Sequence, residues 1–152
     1  GFDVHKFVLG RLLIIGGVKI DYEYGLQGHS DADVLIHAII DALLGAAGLG
    51  DIGQHFPDTD KTFKDINSRK LLRTVVETLK SNNYIIGNID ATIICEAPKM
   101  QSYIKQMIAN IADDCMCDLS NVNIKATSTE KLGFIGRSEG VAAQAICLIE
   151  TV

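Results

Sequence analysis

Val34-Leu35-Ile36-His37-Ala38-Ile39-Ile40-Asp41-Ala42-Leu43-Leu44 is the stretch that decides the fold. It is apolar on nearly every side, as a helix at the centre of a domain must be. Extended to Ala32–Ala47, the helix has Ser30 as its expected N-cap, with Asp33 three residues on in a variant capping box, and ends at Gly48 and Gly50. Asp33, His37 and Asp41 recur every four residues and form one polar stripe. A buried polar stripe is costly unless its groups are satisfied. Taken alone, His37 is a core histidine bonded to a neighbouring carboxylate.

The segment Gly1–Phe7 reads as a strand, and its Asp3-Val4-His5 places an acid and an imidazole on one face. One carboxylate and two imidazoles with a fourth position open is the ligand set of a catalytic zinc. With Asp3 and His5 in the same chain, a ligand role for His37 becomes the better reading. Asp41 then either orients an imidazole or serves backbone groups of the next loop.

The rest of the chain alternates strands and helices. Leu12–Ile20 is expected as a second strand, with Gly16-Gly17 a bend inside it or at its end. Asp21–Asp31 is a loop, and Asp51–Asp65 a long loop without periodicity. Asn67–Asn82 is an amphipathic helix, Tyr84–Cys95 a strand, Ser102–Cys115 a helix, Asn121–Ser128 a strand, Gly133–Arg137 a turn and Val141–Val152 a strand. This predicts a single α/β domain over residues 1–152, a two-layer sandwich with a mixed sheet and helices on one face. Hydrophobic residues make up 47% of the chain, an excess that a sheet face buried between subunits would absorb. Net charge is −5 without a Lys/Arg cluster, which argues against nucleic acid as a partner. No run approaches the length that spans a bilayer, so no membrane partner is expected. Cys95, Cys115, Cys117 and Cys147 match no zinc-knuckle or redox spacing and read as free thiols. The chain opens at Gly1, which suggests a trimmed core with any targeting peptide out of view.

Four loops carry candidate chemistry. Gly28-His29-Ser30-Asp31 precedes the apolar helix, where free N–H groups suit phosphate, although taken alone an ordinary Ser30 cap is the better reading. Asp51-Ile52-Gly53 and Phe56-Pro57-Asp58-Thr59-Asp60 could hold polyol hydroxyls or simply build turns. Ala97-Pro98-Lys99-Met100 follows a strand and reads as a Pro-shaped connection, or as backbone that meets a base edge. Thr127-Ser128-Thr129-Glu130 offers hydroxyls for phosphate and one carboxylate for Mg²⁺.

Taken together, these segments resemble the 2-C-methyl-D-erythritol 2,4-cyclodiphosphate synthase family. The match runs over essentially the whole chain and is strongest at Gly1–His5, Gly28–Val34, Asp41–Ala46, Gly50–Gly53, Phe56–Asp60 and Lys125–Gly140. The resemblance implies ring closure of 4-diphosphocytidyl-2-C-methyl-D-erythritol 2-phosphate with release of CMP, in the non-mevalonate isoprenoid pathway. It implies Zn²⁺, one per subunit, on Asp3, His5 and His37, and Mg²⁺ or Mn²⁺ on Glu130, bridging the substrate's diphosphate. His29 and Ser128 match positions that stabilise the transition state. Ser30, Asp51, Ile52, Gly53, Phe56, Asp58 and Asp60 match substrate-binding positions, with Asp58 where the family holds the erythritol hydroxyls. Pro98, Lys99, Met100, Ala126 and Thr127 match the cytidine pocket, and Phe134 and Arg137 also fall at substrate-binding positions. The resemblance further implies a homotrimer whose sheets face one another, with active sites between adjacent subunits. Phe2, Arg137 and Glu139 match a central cavity that holds an isoprenoid diphosphate. Ser128 stands where Thr is common in the family, and Ser138 where Gly is common. The implied compartment is a bacterial cytoplasm or a plastid-type stroma. Two other classes fit the same residues: a zinc hydrolase, which would need a general base not evident here, and a non-catalytic sensor of isoprenoid diphosphate.

Overall fold

Helix α1 (Val34–Ala46) lies at the centre of the computed structural model, which describes residues 1–152. Val34, Leu35, Ile36, Ala38, Ile39, Ile40, Leu43 and Leu44 are all fully buried. A helix this apolar has to be covered on several sides. Strands β1 (Phe2–Val8) and β7 (Gly140–Thr151) cover one side, and helix α3 (Ser68–Ser81) covers another.

The main sheet has the order β4-β1-β7-β5-β6, with β4 at Gly25–Leu26, β5 at Tyr84–Ile94 and β6 at Val122–Thr127. Its pairs are antiparallel except β5–β6, so the sheet is mixed as expected. A parallel pair needs a crossover, which α4 (Ile104–Cys115) provides. Helix α3 buries Leu71, Leu72, Val75, Val76 and Leu79 at helical spacing. Between α3 and α4, the Asp114 carboxylate is fully enclosed and accepts from Arg69 (2.7 and 3.0 Å) and Arg73 (2.6 Å). That charge-assisted fork satisfies a carboxylate that would otherwise be costly to bury.

Most strands and helices begin and end within two residues of their expected bounds. The segment Leu12–Ile20 does not: it is two strands, β2 (Leu13–Ile15) and β3 (Val18–Ile20), paired antiparallel. Gly16 and Gly17 form the turn between them with φ of +61° and +71°. Positive φ at both central residues is the tight hairpin backbone that glycine adopts without steric cost. The two loops also hold more structure than expected. Strand β4 lies within the 21–31 loop, and helix α2 (Ile52–His55) and a 3₁₀ turn (Lys61–Phe63) lie within the 51–65 loop. The expected turn after Gly133 is one turn of helix, α5 (Gly133–Gly136).

Helices α1, α3 and α4 pack on the sheet, while Phe2, Val4, Ile85, Ile146 and Leu148 stay exposed. On β1 the exposed residues Phe2, Val4 and Lys6 alternate with the more buried Asp3, His5 and Phe7. The period of two thus delivers Asp3 and His5 together to the face that α1 covers.

Candidate active site

Strand β1 and the first turn of α1 converge on Asp3, His5 and His37. Asp3 Oδ2 lies 2.9 Å from His5 Nε2 and 3.1 Å from His37 Nδ1. The two nitrogens are 3.3 Å apart. Ligands about 2.0–2.1 Å from a tetrahedral zinc are about 3.4 Å from one another, so this triangle is close to the size a zinc ion needs. The far nitrogens are engaged elsewhere. His5 Nδ1 donates to the Gln27 carbonyl at 2.7 Å, and His37 Nε2 meets Ser68 Oγ at 2.8 Å. Such partners fix ring orientation and leave the inner nitrogen's lone pair for a metal.

Asp3 and the two imidazoles are electrostatically coupled. Burial alone would raise the Asp3 carboxyl, but hydrogen bonds and charge from His37 and His5 outweigh it and bring the pKa down to about 2. Burial alone would lower His5, but its bond to Asp3, the Asp3 charge and the Gln27 carbonyl leave it raised. Gly28 makes room for this ring, since a Cβ there would sit 3.2 Å from His5 Cε1 and 2.9 Å from Ala32 Cβ.

The polar stripe of α1 does not act as one unit. Asp33, not Ser30, is the N-cap: it accepts from Ile36 N at 3.1 Å and from the Gly16 and Gly17 amides at 2.9 and 2.7 Å. It therefore fastens the β2–β3 turn to the start of α1. Burial and neighbouring Asp31 push its carboxyl up to about 6, against the pull of those three N–H groups. Asp41 accepts from Ile52 N at 2.8 Å, the loop-backbone role, and does not orient an imidazole. Only His37 turns into the site. Ser30 is buried there, with Oγ accepting from Ala32 N and lying 3.2 Å from His37 Nε2.

A cleft of about 520 Å³ opens over the triad. His29, Ser30 and Asp58 line it from the polar side, and Ile52, Gly53 and Phe56 from the α2 side. His29 Nε2 donates to the Asp60 carbonyl at 2.9 Å, which ties the cleft's two loops together. The Asp51 and Asp60 side chains cap α2 and the following 3₁₀ turn through Gln54 N and Thr62 N, so turn chemistry accounts for both.

The remaining predicted residues gather elsewhere. Pro98, Lys99, Met100, Ala126, Thr127 and Ser128 surround a separate hollow of about 260 Å³. It shares no lining residue with the triad's cleft. Asp3 pairs with Ala143, Ala143 with Ile93 and Ile93 with Ala126, so the two regions lie three strand spacings apart, about 14 Å. Glu130 is exposed, with its N–H donating to Ser128 Oγ at 3.2 Å. It and Lys131 adopt φ of +52° and +64°, a backbone that side chains disfavour. Glu96 holds this loop by accepting from Thr129 N, Thr129 Oγ1 and Lys131 N. Phe134 faces a third hollow of about 740 Å³, together with Val4, Lys6 and Glu139. Phe2, Arg137 and Glu139 are exposed, and Arg137 Nε donates to Glu139 at 2.7 Å.

Ser68, Asp31 and Gln27 were not foreseen as site residues, and Glu96 lies in the loop from Cys95 to Gln101 that resembles the family's cytidine pocket but serves here to hold the Thr129–Lys131 loop. Ser68 looks in sequence like part of a helix start, and Gln27 acts through its carbonyl, which no side-chain pattern reveals. Asp31 stood in the Gly28–Asp31 motif, but only its contact with Ser68 discloses its use.

Comparison with known proteins places these residues in context. The model of the YgbB family matches residues 1–150. The 2-C-methyl-D-erythritol 2,4-cyclodiphosphate synthase of Methylobacillus flagellatus is 64% identical over 99% of this chain and 94% of that protein. The Bacillus subtilis protein of the same name is 61% identical over 99% of this chain and 95% of its own length. Among solved structures, the bifunctional IspDF of Campylobacter jejuni superposes with a TM-score of 0.96 at 45% identity, covering 100% of this chain and 41% of that one. The CDP complex of Plasmodium falciparum IspF superposes with a TM-score of 0.87 at 35% identity, covering 99% and 93%.

Proposed function

The chain belongs to the YgbB family, and from that membership we propose how its residues close a cyclic diphosphate. Its activity is that of its relatives, a lyase step of the non-mevalonate isoprenoid pathway that forms 2-C-methyl-D-erythritol 2,4-cyclodiphosphate. The substrate is 4-diphosphocytidyl-2-C-methyl-D-erythritol 2-phosphate. An oxygen of its 2-phosphate attacks the β-phosphorus, the bond from that phosphorus to the bridging oxygen breaks, and CMP leaves with the electron pair. The nucleophile belongs to the substrate, so the protein's work is positioning and charge neutralisation.

Asp3, His5 and His37 hold Zn²⁺, one per subunit, and Glu130 holds Mg²⁺ or Mn²⁺ together with the diphosphate. Bound there, these ions supply positive charge and Lewis acidity to the phosphate oxygens of a substrate that a chain of net charge −5 would otherwise repel. His29 and the Ser128 hydroxyl donate to phosphate oxygens as charge shifts during attack. Ser30 keeps His37 in place from beneath the cleft. Asp58 accepts from the erythritol hydroxyls, with Ile52, Gly53 and Phe56 shaping that end; Asp51 and Asp60 hold its loops in form. Pro98, Lys99, Met100, Ala126 and Thr127 receive the cytidine, and the CDP complex named for the P. falciparum relative supports a cytidine nucleotide as ligand. Phe134 and Arg137 border the substrate from the loop side.

The observation that carries this reading is the metal-sized triangle of Asp3, His5 and His37 with both outer nitrogens already bonded. The homotrimer is the assembly the family resemblance implies, and the separation of the two half-sites supports sites shared between subunits, with the exposed loop of one subunit completing the triad's cleft of the next. The exposed sheet residues Phe2, Val4, Ile146 and Leu148 support packing of sheets against one another around the axis. Phe2, Arg137 and Glu139 then border a central cavity suited to an isoprenoid diphosphate. The single α/β domain, residues 1–152, is the repeating unit. No helix is long and apolar enough to cross a membrane. The bacterial relatives support a bacterial cytoplasm as the compartment.

The decisive experiment follows CMP release from the cytidylyl substrate with zinc and Mg²⁺ present and with each removed. Cyclic product requiring both metals is expected. CMP with linear product would mean hydrolysis instead, and a zinc-loaded protein without turnover would mean a binding protein.

A further inference from the structure

We propose that Asp31 and Ser68 form a positioning relay that fixes the tautomer of His37 and so sets how tightly the chain holds its metal. The inference rests on the zinc reading of Asp3, His5 and His37.

Ser68 is fully buried at the first position of α3. Its Oγ lies 2.8 Å from His37 Nε2 and bonds closely to Asp31 Oδ1. Asp31 Oδ2 accepts from Ser68 N at 3.0 Å, and Asp31 Oδ1 also accepts from Asp33 N at 3.2 Å. Both Asp31 oxygens already accept from backbone N–H groups, which can only donate, so the carboxylate acts here as an acceptor. The Ser68 hydroxyl therefore donates to Asp31, and its lone pair accepts from His37 Nε2–H. With the proton fixed on Nε2, the lone pair on Nδ1 faces Asp3 and His5, where a ligand atom is needed.

The direction of this chain is the point. A hydroxyl can either donate or accept toward the imidazole, and only the carboxylate behind it decides which. Ser30 Oγ, at 3.2 Å from the same nitrogen, accepts from Ala32 N and keeps a second lone pair, so it can accept from His37 Nε2–H as well and is compatible with the same tautomer, at the longer distance. His5 has no such side chain: its Nδ1 proton is fixed by the Gln27 carbonyl, which can only accept. His37 is thus the one ligand of the three whose tautomer depends on a side chain that can be exchanged.

Asp31→Asn is nearly the same shape but presents an NH₂ in place of one oxygen. If that NH₂ faces Ser68 Oγ, the hydroxyl is free to donate into His37 Nε2, which drives the imidazole proton onto Nδ1 and blocks the ligand atom. If it faces Ser68 N, two donors confront each other and the bond is lost. Ser68→Ala removes the relay outright, and Ser68→Thr retains its hydroxyl.

The test is a chelator competition that measures zinc dissociation constants of the purified full chain, with melting of each zinc-free variant recorded alongside. Asp31→Asn and Ser68→Ala should each weaken zinc by about 10- to 100-fold. Ser68→Thr should stay within about 3-fold of wild type, because the acceptor is restored. Nitrogen-15 spectra of the zinc-free protein should show His37 protonated on Nε2 in wild type and shifted toward Nδ1 in Asp31→Asn. Variants that melt earlier but hold zinc as wild type does would reduce these residues to structural supports and overturn the relay. If Asp31→Asn does not fold, equal zinc affinity of Ser68→Ala and Ser68→Thr overturns it as well. A wild-type chain that takes up no zinc would overturn the metal reading itself, and the relay with it.

Discussion

Asp3, His5 and His37 are largely enclosed, and both imidazoles have hydrogen-bond partners behind them within the same chain. Ser128 and Glu130 stand exposed, on a loop held in shape mainly by Glu96. The two regions, proposed to serve one reaction, are built to different degrees. The metal side is preorganised by one fold: strand period, helix turn and backbone carbonyl all fix it before any ligand arrives. The loop side presents correct groups without walls around them. That difference in enclosure is what the proposed sharing of each site between subunits accounts for.

Breaking the enclosed half should have the largest effect. His37→Ala should take zinc from one ion per chain to below about 0.1 and turnover down at least about 10³-fold, since a bound cation supplies several kcal/mol of charge stabilisation. Oligomer mass should not change, because His37 belongs to the cleft and not to the exposed sheet face. Metal analysis and light scattering on the same sample check both points, and full zinc content in the variant would remove His37 from the ligand set.

Changing the open half should be milder and selective. Glu130→Ala should raise the Mg²⁺ concentration for half-maximal turnover by about 10-fold while zinc content stays at the wild-type level, because only one carboxylate of that second site comes from the chain. A magnesium titration of variant and wild type decides this, and superimposable curves would exclude Glu130.

The sharpest form of the comparison combines the two. At a Mg²⁺ concentration low enough that Glu130→Ala alone is nearly silent, co-expressed His37→Ala and Glu130→Ala chains should together recover about a quarter of the wild-type turnover if neighbouring subunits share each site at random. Recovery no greater than the sum of the parents would place both halves of the site within one chain.

Much of this was legible in sequence because it depends on short-range periodicity. Asp3 and His5 two apart on a strand, and one histidine in an apolar helix, need only the strand and helix repeats to be placed. The hairpin at Gly16-Gly17 was missed because a glycine pair marks a bend as readily as a turn that reverses the chain. Its role became clear only with both amides bonded to Asp33, sixteen and seventeen residues away. Ser30 as a cap and Asp41 as an imidazole partner were equally good local candidates that distant neighbours decided.

By itself, then, the sequence determined the order of the long strands and helices, the central position of α1, the residues able to bind metal and, through their motifs, the family. Tertiary structure alone decided which atoms meet: that Asp33 fastens a hairpin, that Gln27 lends a carbonyl to His5, and that Asp31 reaches His37 through Ser68. The physical reason is range. Periodicity and residue chemistry act over a few neighbours along the chain, whereas the direction of a hydrogen bond depends on groups dozens of residues apart that only packing brings together.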